Sequence, residues 1–187
     1  MEFQETWTLP ECELSRGDSM EICAERLAGA LVLGGRPVNP VSVLTASRGK
    51  KMPGVTAVHL VSAPRDSECR TSGGEAQVYW ADVQHLPTML GAYESHISTA
   101  LTQLSRSPRD VAILIQSPYF TITELREAMD VIRGLVGVDR PIDKRNFRRQ
   151  LDQVDWLFDT GRMSNNVAFR PAKLYQVASV NSESNER

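Results

Sequence analysis

The chain has 187 residues, of which 41% are hydrophobic and 24% charged, the ordinary composition of a globular protein with one domain or two small ones. No apolar run approaches the roughly 20 residues of a membrane span, and the polar start does not have the pattern of a secretory signal peptide. A formal net charge of −2 argues against indiscriminate coating of nucleic acid but is compatible with a local basic surface. Three cysteines without a CxxC spacing predict unpaired thiols and a reducing, cytoplasmic location.

The N-terminal half mixes helical and strand patterns. A helix is predicted over 17–33, with Asp18 or Ser19 as its N-cap, and a Gly- and Pro-containing stretch ends it. A second helix is predicted from about Tyr93 onward. Enrichment in β-branched residues predicts three strands, over 41–47, 54–63 and 76–83.

A polar, proline-containing segment, SRSPRD at 105–110, separates two unlike halves and is the best candidate for a domain boundary. We therefore predict one domain over 1–110 and a second over 111–180. The remaining residues, 181–187, are polar throughout and are expected to form a disordered tail.

The C-terminal half has the signals of a helix-turn-helix. Thr121 and Glu124 have the spacing of a capping box at the start of one helix. A second helix is predicted to begin at Asp143, a preferred N-cap whose charge also suits the positive end of the helix dipole. On this second helix Phe147 and Leu151 fall on one side and predict a narrow inward-facing seam.

The second helix gathers cations in a chain that is slightly acidic as a whole. All of its cations lie off the apolar seam, and an asparagine lies in its first turn. This division suits insertion into the major groove of DNA, where Arg, Lys and Asn read base edges, although a basic helix can also be a solvated face. The predicted DNA-contacting residues of this helix are Lys144, Arg145, Asn146, Arg148 and Arg149.

Two strand patterns follow, WLFDT and AKLYQVA, and the polar Gly/Asn loop between them predicts a β-hairpin wing. Arg162, Arg170 and Lys173 would decorate this wing and reach phosphates or the minor groove. The order of helix, turn, basic helix and hairpin predicts a winged helix-turn-helix domain.

Three strings, FTITELREAMDVIRG, IDKRNFRRQL and RPAKLYQV, resemble the C-terminal domain of the Nudix-related transcriptional regulators of the NrtR type. The resemblance covers roughly residues 115–177. It implies a bacterial repressor of NAD-related or sugar metabolism genes, dimeric on a palindromic operator in double-stranded DNA. It further implies ADP-ribose or a related nucleotide as effector, with no cofactor and no membrane association.

The N-terminal half resembles a Nudix box, G-x5-E-x7-R-E-U-x-E-E-x-G-U, without its chemistry. Trp7, Leu9 and Pro10 match the W-x-LPGG element before the box, and Arg26 falls at the arginine of the box. The positions of the metal-binding glutamates are occupied by Leu27, Ala30 and Leu31. Because these side chains cannot ligate Mg²⁺, the resemblance implies an inactive, N-terminally shortened domain that serves dimerisation and effector sensing.

Two other functions stay open. A Nudix hydrolase of ADP-ribose-like nucleoside diphosphates would need a displaced metal site built from Glu13, Glu21 and Glu25, which we interpret instead as a solvated helix face. The other is a remnant whose sensor half binds nothing, or whose true start lies upstream of Met1. We favour a regulator that is not an enzyme. Its expected fold class is α+β, a truncated Nudix-like α/β/α domain followed by a winged helix-turn-helix domain.

Overall fold

The computed structural model describes residues 6–33, 40–43, 58–61, 68–69, 78–115, 117–164 and 171–178. The chain forms two compact units, Met1–Leu104 and Ser105–Arg187. Within the described residues, no helix combines the length and the apolar composition needed to cross a membrane. The predicted tail at 181–187 lies outside the described residues.

The N-terminal unit combines two helices with short antiparallel strand pairs. Strand β1 pairs with β4 and β2 pairs with β3, and both helices contact β2 and β3. Buried apolar side chains among the described residues of this unit come from α1 and the second half of α2. The elements are α1 (Met20–Leu31), β1 (Val32–Leu33), β2 (Pro40–Val43), β3 (Val58–Val61), β4 (Glu68–Cys69) and α2 (Tyr93–Leu104).

The predicted start of α2 at Tyr93 is confirmed, and so is the existence of α1. Ser19 caps α1, since its hydroxyl oxygen accepts from the backbone N–H of Ile22 at 3.2 Å. Asp18, the other candidate cap, instead accepts from the guanidinium of Arg26 at 3.1 Å. Strands β2 and β3 confirm the described parts of two predicted strands, and the remainder of those predictions lies outside the described residues.

The third predicted strand is wrong over 78–83, which has no regular structure. The carboxylate of Asp82 accepts from the backbone N–H of Gln84 at 2.9 Å, and this local turn competes with extended pairing. The strand-like pairing nearby is made by Trp7 and Met89, which form an isolated parallel bridge. The strand-like composition of this segment was therefore a weaker determinant of its structure than the turn that Asp82 forms.

The C-terminal unit consists of three helices followed by an antiparallel hairpin. The hairpin pairs Leu157 with Val177 and Met163 with Lys173, and Phe120 adds an isolated bridge to Tyr175. The apolar core of the C-terminal unit comes from all three helices and from Phe120, two residues before α4. The elements are α3 (Pro108–Leu114), α4 (Ile122–Leu135), α5 (Lys144–Leu151), β5 (Leu157–Met163) and β6 (Lys173–Val177). The buried apolar side chains are Val111, Ala112, Phe120, Leu125, Met129, Phe147 and Leu151.

Helix α3 occupies the place where a linker was expected. Ser107 caps it by accepting from the backbone N–H of Asp110 at 3.3 Å, and Pro108 takes the first helical position, where its missing N–H costs nothing. The SRSPRD segment is thus a helix start, and a domain boundary after residue 110 would cut α3. The change of unit falls between Leu104 and Ser105.

The ends of α4 are fixed by local signals. The predicted capping box is confirmed, because the backbone N–H of Glu124 bonds to the Thr121 hydroxyl at 3.1 Å and the Glu124 carboxylate accepts from the Thr121 N–H at 2.6 Å. At the other end Gly137 has a φ of 78° and Val138 donates its N–H to the carbonyl of Arg133 at 2.9 Å. This Schellman-type stop ends α4 and starts the turn toward α5.

Candidate nucleic-acid interface

Helix α5 is held by its N-cap residue and by its inner face. The Asp143 carboxylate accepts from the backbone N–H of Asn146 at 2.8 Å, so the predicted N-cap is confirmed. Phe147 and Leu151 are buried, with 3% and 4% of their surface exposed, and α5 contacts α4. The inner face is therefore anchored, and the remaining side chains of the helix are available to a partner.

One aspartate fixes the turn between α4 and α5. A carboxylate oxygen of Asp130 accepts from the backbone N–H of Ile142 at 2.8 Å. The other oxygen accepts from the guanidinium of Arg126 at 2.8 Å, and the Arg126 side chain is only 12% exposed. The i, i+4 spacing of Arg126 and Asp130 could have indicated the ion pair. The bond to Ile142 has no sequence signal, because it joins residues in different elements.

The exposed residues of α5 form two groups that point in different directions. Successive residues of an α-helix are about 100° apart around its axis, so Arg149 lies opposite the buried pair Phe147 and Leu151. Arg145 and Asn146 flank Arg149 on the outward side. The cations Lys144 and Arg148 lie together on one flank. All five predicted contact residues of α5 are exposed, namely Lys144, Arg145, Asn146, Arg148 and Arg149.

The outward residues form a shallow basic groove. Its volume is about 470 Å³. Inside it, the Arg149 guanidinium donates to the amide oxygen of Asn146 at 3.3 Å, so the two side chains are oriented together. The lining residues are Arg145, Asn146, Arg148, Arg149 and Asp152.

A second groove, of about 430 Å³, lies on the other side of α5 and brings in cations from outside the helix. Arg106 comes from the segment before α3, Arg133 from the last turn of α4 and Arg140 from the turn before α5. Asn146 lines both grooves, so these three guanidinium groups continue the basic surface of α5. The sequence prediction did not include them, because they are far apart along the chain.

Two of the three predicted wing cations, Arg162 and Lys173, interact with other residues of the protein. The Arg162 guanidinium lies over the ring of Tyr119, 4.9 Å from its centroid, and Lys173 donates to the carboxylate of Asp159 at 2.7 Å. That hydrogen bond, followed by the charge of Asp159, raises the pKa of Lys173. Arg170 lies outside the described residues.

The carboxylates considered for a displaced metal site lie on the surface. Glu13, Glu21 and Glu25 are all exposed. Among the described residues, no group of three or more His, Cys, Asp or Glu side chains is arranged to hold a metal ion.

The sequence model of the NrtR DNA-binding winged helix domain matches residues 117–177, which include α4, α5 and both strands of the wing. The structure of Shewanella oneidensis NrtR complexed with a 27mer DNA is similar over 92% of this chain and 80% of that chain, with a TM-score of 0.61 and 22% identity. A structure of the same protein described without DNA covers 86% of this chain and 74% of that one, with a TM-score of 0.53 and 23% identity. No curated protein matches.

The fold and the basic surface define a DNA-binding transcription regulator with a winged helix. Its winged helix domain is of the NrtR type. The expected fold class, α+β with a Nudix-like unit followed by a winged helix-turn-helix, is confirmed by the likeness to the NrtR structures. The expectation of a regulatory rather than an enzymatic role is in keeping with this fold.

Proposed function

We propose that the protein binds a specific sequence in double-stranded DNA by placing the outer face of α5 in the major groove. The observation that carries this proposal is the division of α5 into a buried apolar side and an exposed side with Arg145, Asn146 and Arg149. Arginine and asparagine are the side chains that recognise guanine and adenine edges through paired hydrogen bonds. These three residues are our candidates for base recognition.

The other cations are assigned to phosphate contacts. Lys144 and Arg148 lie on the flank of α5, and the second groove adds further guanidinium groups next to Asn146. Phosphate contacts fix the position of a domain on the duplex without reading its sequence. The residues proposed for this role are Lys144, Arg148, Arg106, Arg133, Arg140 and the wing cations Arg162, Arg170 and Lys173.

We further propose a cytoplasmic homodimer that represses NAD-related or sugar metabolism genes from a palindromic operator. A single α5 reads only a few base pairs, and a two-fold dimer doubles the site while keeping its halves about one helical turn, or a multiple of it, apart. In this proposal the N-terminal unit is the dimerising and effector-sensing domain, and the C-terminal unit, which begins at Ser105 and not after residue 110, binds DNA.

The N-terminal unit is proposed to be a Nudix-like domain without hydrolase activity, and an ADP-ribose-like nucleotide is its candidate effector. Leu27, Ala30 and Leu31 offer no oxygen ligands for Mg²⁺. The alternative function, hydrolysis of ADP-ribose-like diphosphates, is tested by Mg²⁺-dependent cleavage of ADP-ribose to AMP and ribose 5-phosphate. Robust turnover would favour the hydrolase.

The DNA-binding proposal is tested by recovering bound genomic DNA and then measuring affinity for the enriched sequence. We expect Arg145→Ala and Arg149→Ala each to lower the affinity by about 1–3 kcal/mol and to relax the preference over scrambled DNA. Arg16→Ala is the matched control, since Arg16 is an exposed arginine of the N-terminal unit. Wild-type affinity in the doubly substituted Arg145/Arg149 protein would reject α5 as the reading helix.

A further inference from the structure

Two cysteines of the N-terminal unit meet in space. The sulfur atoms of Cys12 and Cys23 are 2.7 Å apart, although the residues are separated by eleven positions. Cys12 lies on the exposed segment before α1, and Cys23 lies in the first turns of α1 with 4% of its surface exposed. Both are free thiols in this structure. These two cysteines are thus unpaired covalently, as predicted, but the prediction did not include the contact between them.

One cation lies beside the pair. A guanidinium nitrogen of Arg26 lies 3.6 Å from the sulfur of Cys23, and the same nitrogen bonds to Asp18 at 3.1 Å. The hydrogen bond with Cys23, followed by burial, raises the pKa of Cys12. The thiolate of Cys12, which is the form that attacks a disulfide, therefore becomes more abundant as the pH rises.

We propose that Cys12 and Cys23 form a redox modification site, which small disulfides such as oxidised glutathione convert to an intramolecular disulfide. The contact between the sulfur atoms, the accessibility of Cys12 and the guanidinium beside Cys23 carry this proposal. It is independent of the DNA-binding function. The product ties the segment before α1 to the helix itself.

The chemistry is two successive exchanges. The thiolate of Cys12 attacks one sulfur of oxidised glutathione, forms a mixed disulfide and releases one glutathione thiolate, which takes up the proton lost by Cys12. The thiolate of Cys23 then attacks the Cys12 sulfur, forms the protein disulfide and releases the second glutathione, which takes up the proton lost by Cys23. The protein loses two electrons, and one molecule of oxidised glutathione is reduced to two thiols.

The test uses the full chain with Cys69→Ser, which leaves Cys12 and Cys23 as the two cysteines of the sequence. The protein is equilibrated with reduced and oxidised glutathione at several ratios, quenched, alkylated and digested with trypsin. Cleavage after Arg16 separates the two cysteines into different peptides, so a disulfide appears as a linked pair of peptides in mass spectrometry. Recovery of that linked pair supports the proposal. Alkylation of both thiols, or a stable mixed disulfide with glutathione, overturns it.

A second measurement separates native geometry from mere closeness along the chain. The thiol–disulfide equilibrium with glutathione is measured again in the urea-unfolded protein. There the two thiols meet only because they are eleven residues apart in the chain. We expect the equilibrium constant in the folded protein to be about tenfold larger or more, since folding raises the effective concentration of one thiol at the other. An equal or smaller constant would contradict the proposed site. Cys12→Ser, a substitution at an exposed position, should abolish the linked peptides and leave the fold unchanged.

Discussion

The two units of the chain differ in how their elements are fixed. In Ser105–Arg187 each helix begins with a side chain that bonds to its own backbone, namely Ser107, Thr121 and Asp143. In Met1–Leu104 the described strands are two to four residues long, whereas the two strands of the C-terminal hairpin have seven and five residues. The C-terminal unit therefore combines a local cap at each helix with a longer strand pair, whereas the N-terminal unit, in which Ser19 caps α1, depends on short strand pairs.

This difference suits a division of labour between the units. A helix that reads DNA must keep its side chains in a fixed direction, and the cap at Asp143 together with the buried Phe147 and Leu151 provides that rigidity. The N-terminal unit has the contact between Cys12 and Cys23, which lies between a segment and a helix and can change its covalent state. Changes in the C-terminal unit should therefore alter DNA binding and its own stability without disturbing the N-terminal unit.

The largest expected effect comes from Asp130→Ala. The change removes the acceptor for the Ile142 N–H and leaves the poorly exposed guanidinium of Arg126 without this carboxylate. We expect the C-terminal unit to lose about 2–3 kcal/mol in its free energy of unfolding, measured by urea denaturation with hydrogen exchange assigning the loss to that unit.

Asp130→Asn is the matched control for this prediction. The amide oxygen can still accept from Ile142, but the NH2 group then replaces the oxygen that accepts from Arg126, so the bond to Arg126 is lost while the backbone bond is kept. The loss should therefore be smaller than in Asp130→Ala. Equal losses in both variants would show that the charge, not the backbone bond, holds the turn. A loss that hydrogen exchange places in the N-terminal unit would break the proposed independence of the units.

Asp130 also marks the limit of what the sequence could predict. The capping box, the Asp143 cap and the apolar seam were predictable because each depends on residues close together in the chain. The hairpin was predictable because two strand patterns flank a polar Gly/Asn loop. The bond from Ile142 to Asp130 and the turn at Asp82 were missed, since the first joins two elements and the second overrides a strand-like composition. Helix α3 was missed because serine and proline occur both in linkers and at helix starts, so Ser107 and Pro108 did not distinguish the two.

The candidate site was also predictable only in part. The basic residues of α5 follow from the string KRNFRR, and their outward direction follows from helix geometry. The hydrogen bond between Arg149 and Asn146 could not be predicted, because it depends on side-chain rotamers. The contribution of Arg106 and Arg133 could not be predicted either, since it requires the packing of α3, α4 and α5.

The second prediction concerns that hydrogen bond. Asn146→Ala removes a candidate base-reading amide and also the acceptor that orients the Arg149 guanidinium, so we expect a loss of about 1–3 kcal/mol in operator affinity and a weaker preference over scrambled DNA. Fluorescence anisotropy with both DNAs measures the two quantities. In a double-mutant cycle, Asn146→Ala and Arg149→Ala should cost less together than the sum of their separate effects. Additive losses would show that the two side chains act independently.

The third prediction tests the local control of α5. Asp143→Ala removes the N-cap and should lower the free energy of unfolding of the C-terminal unit by about 1 kcal/mol. Asp143→Asn retains a capping oxygen and is expected to lose only a few tenths of that. Chemical denaturation of both variants provides the comparison. An alanine variant as stable as the wild type would mean that tertiary packing, rather than the cap, fixes the start of α5.

The smallest effect is expected at the wing. Lys173 is paired with Asp159 at 2.7 Å in the protein without DNA, so a contact to phosphate must replace an interaction that already exists. We therefore expect Lys173→Gln to reduce the affinity for operator and for scrambled DNA alike, and to lower the magnitude of the slope of log K against log salt by about 1 or less.

Asp159→Asn is the informative counterpart, because it releases the ammonium group from its partner and should strengthen binding to both DNAs at low salt. The two changes together should bind both DNAs more weakly than Asp159→Asn alone, because the released ammonium group is then absent. A selective loss of operator over scrambled binding in Lys173→Gln would instead mean that the wing reads sequence.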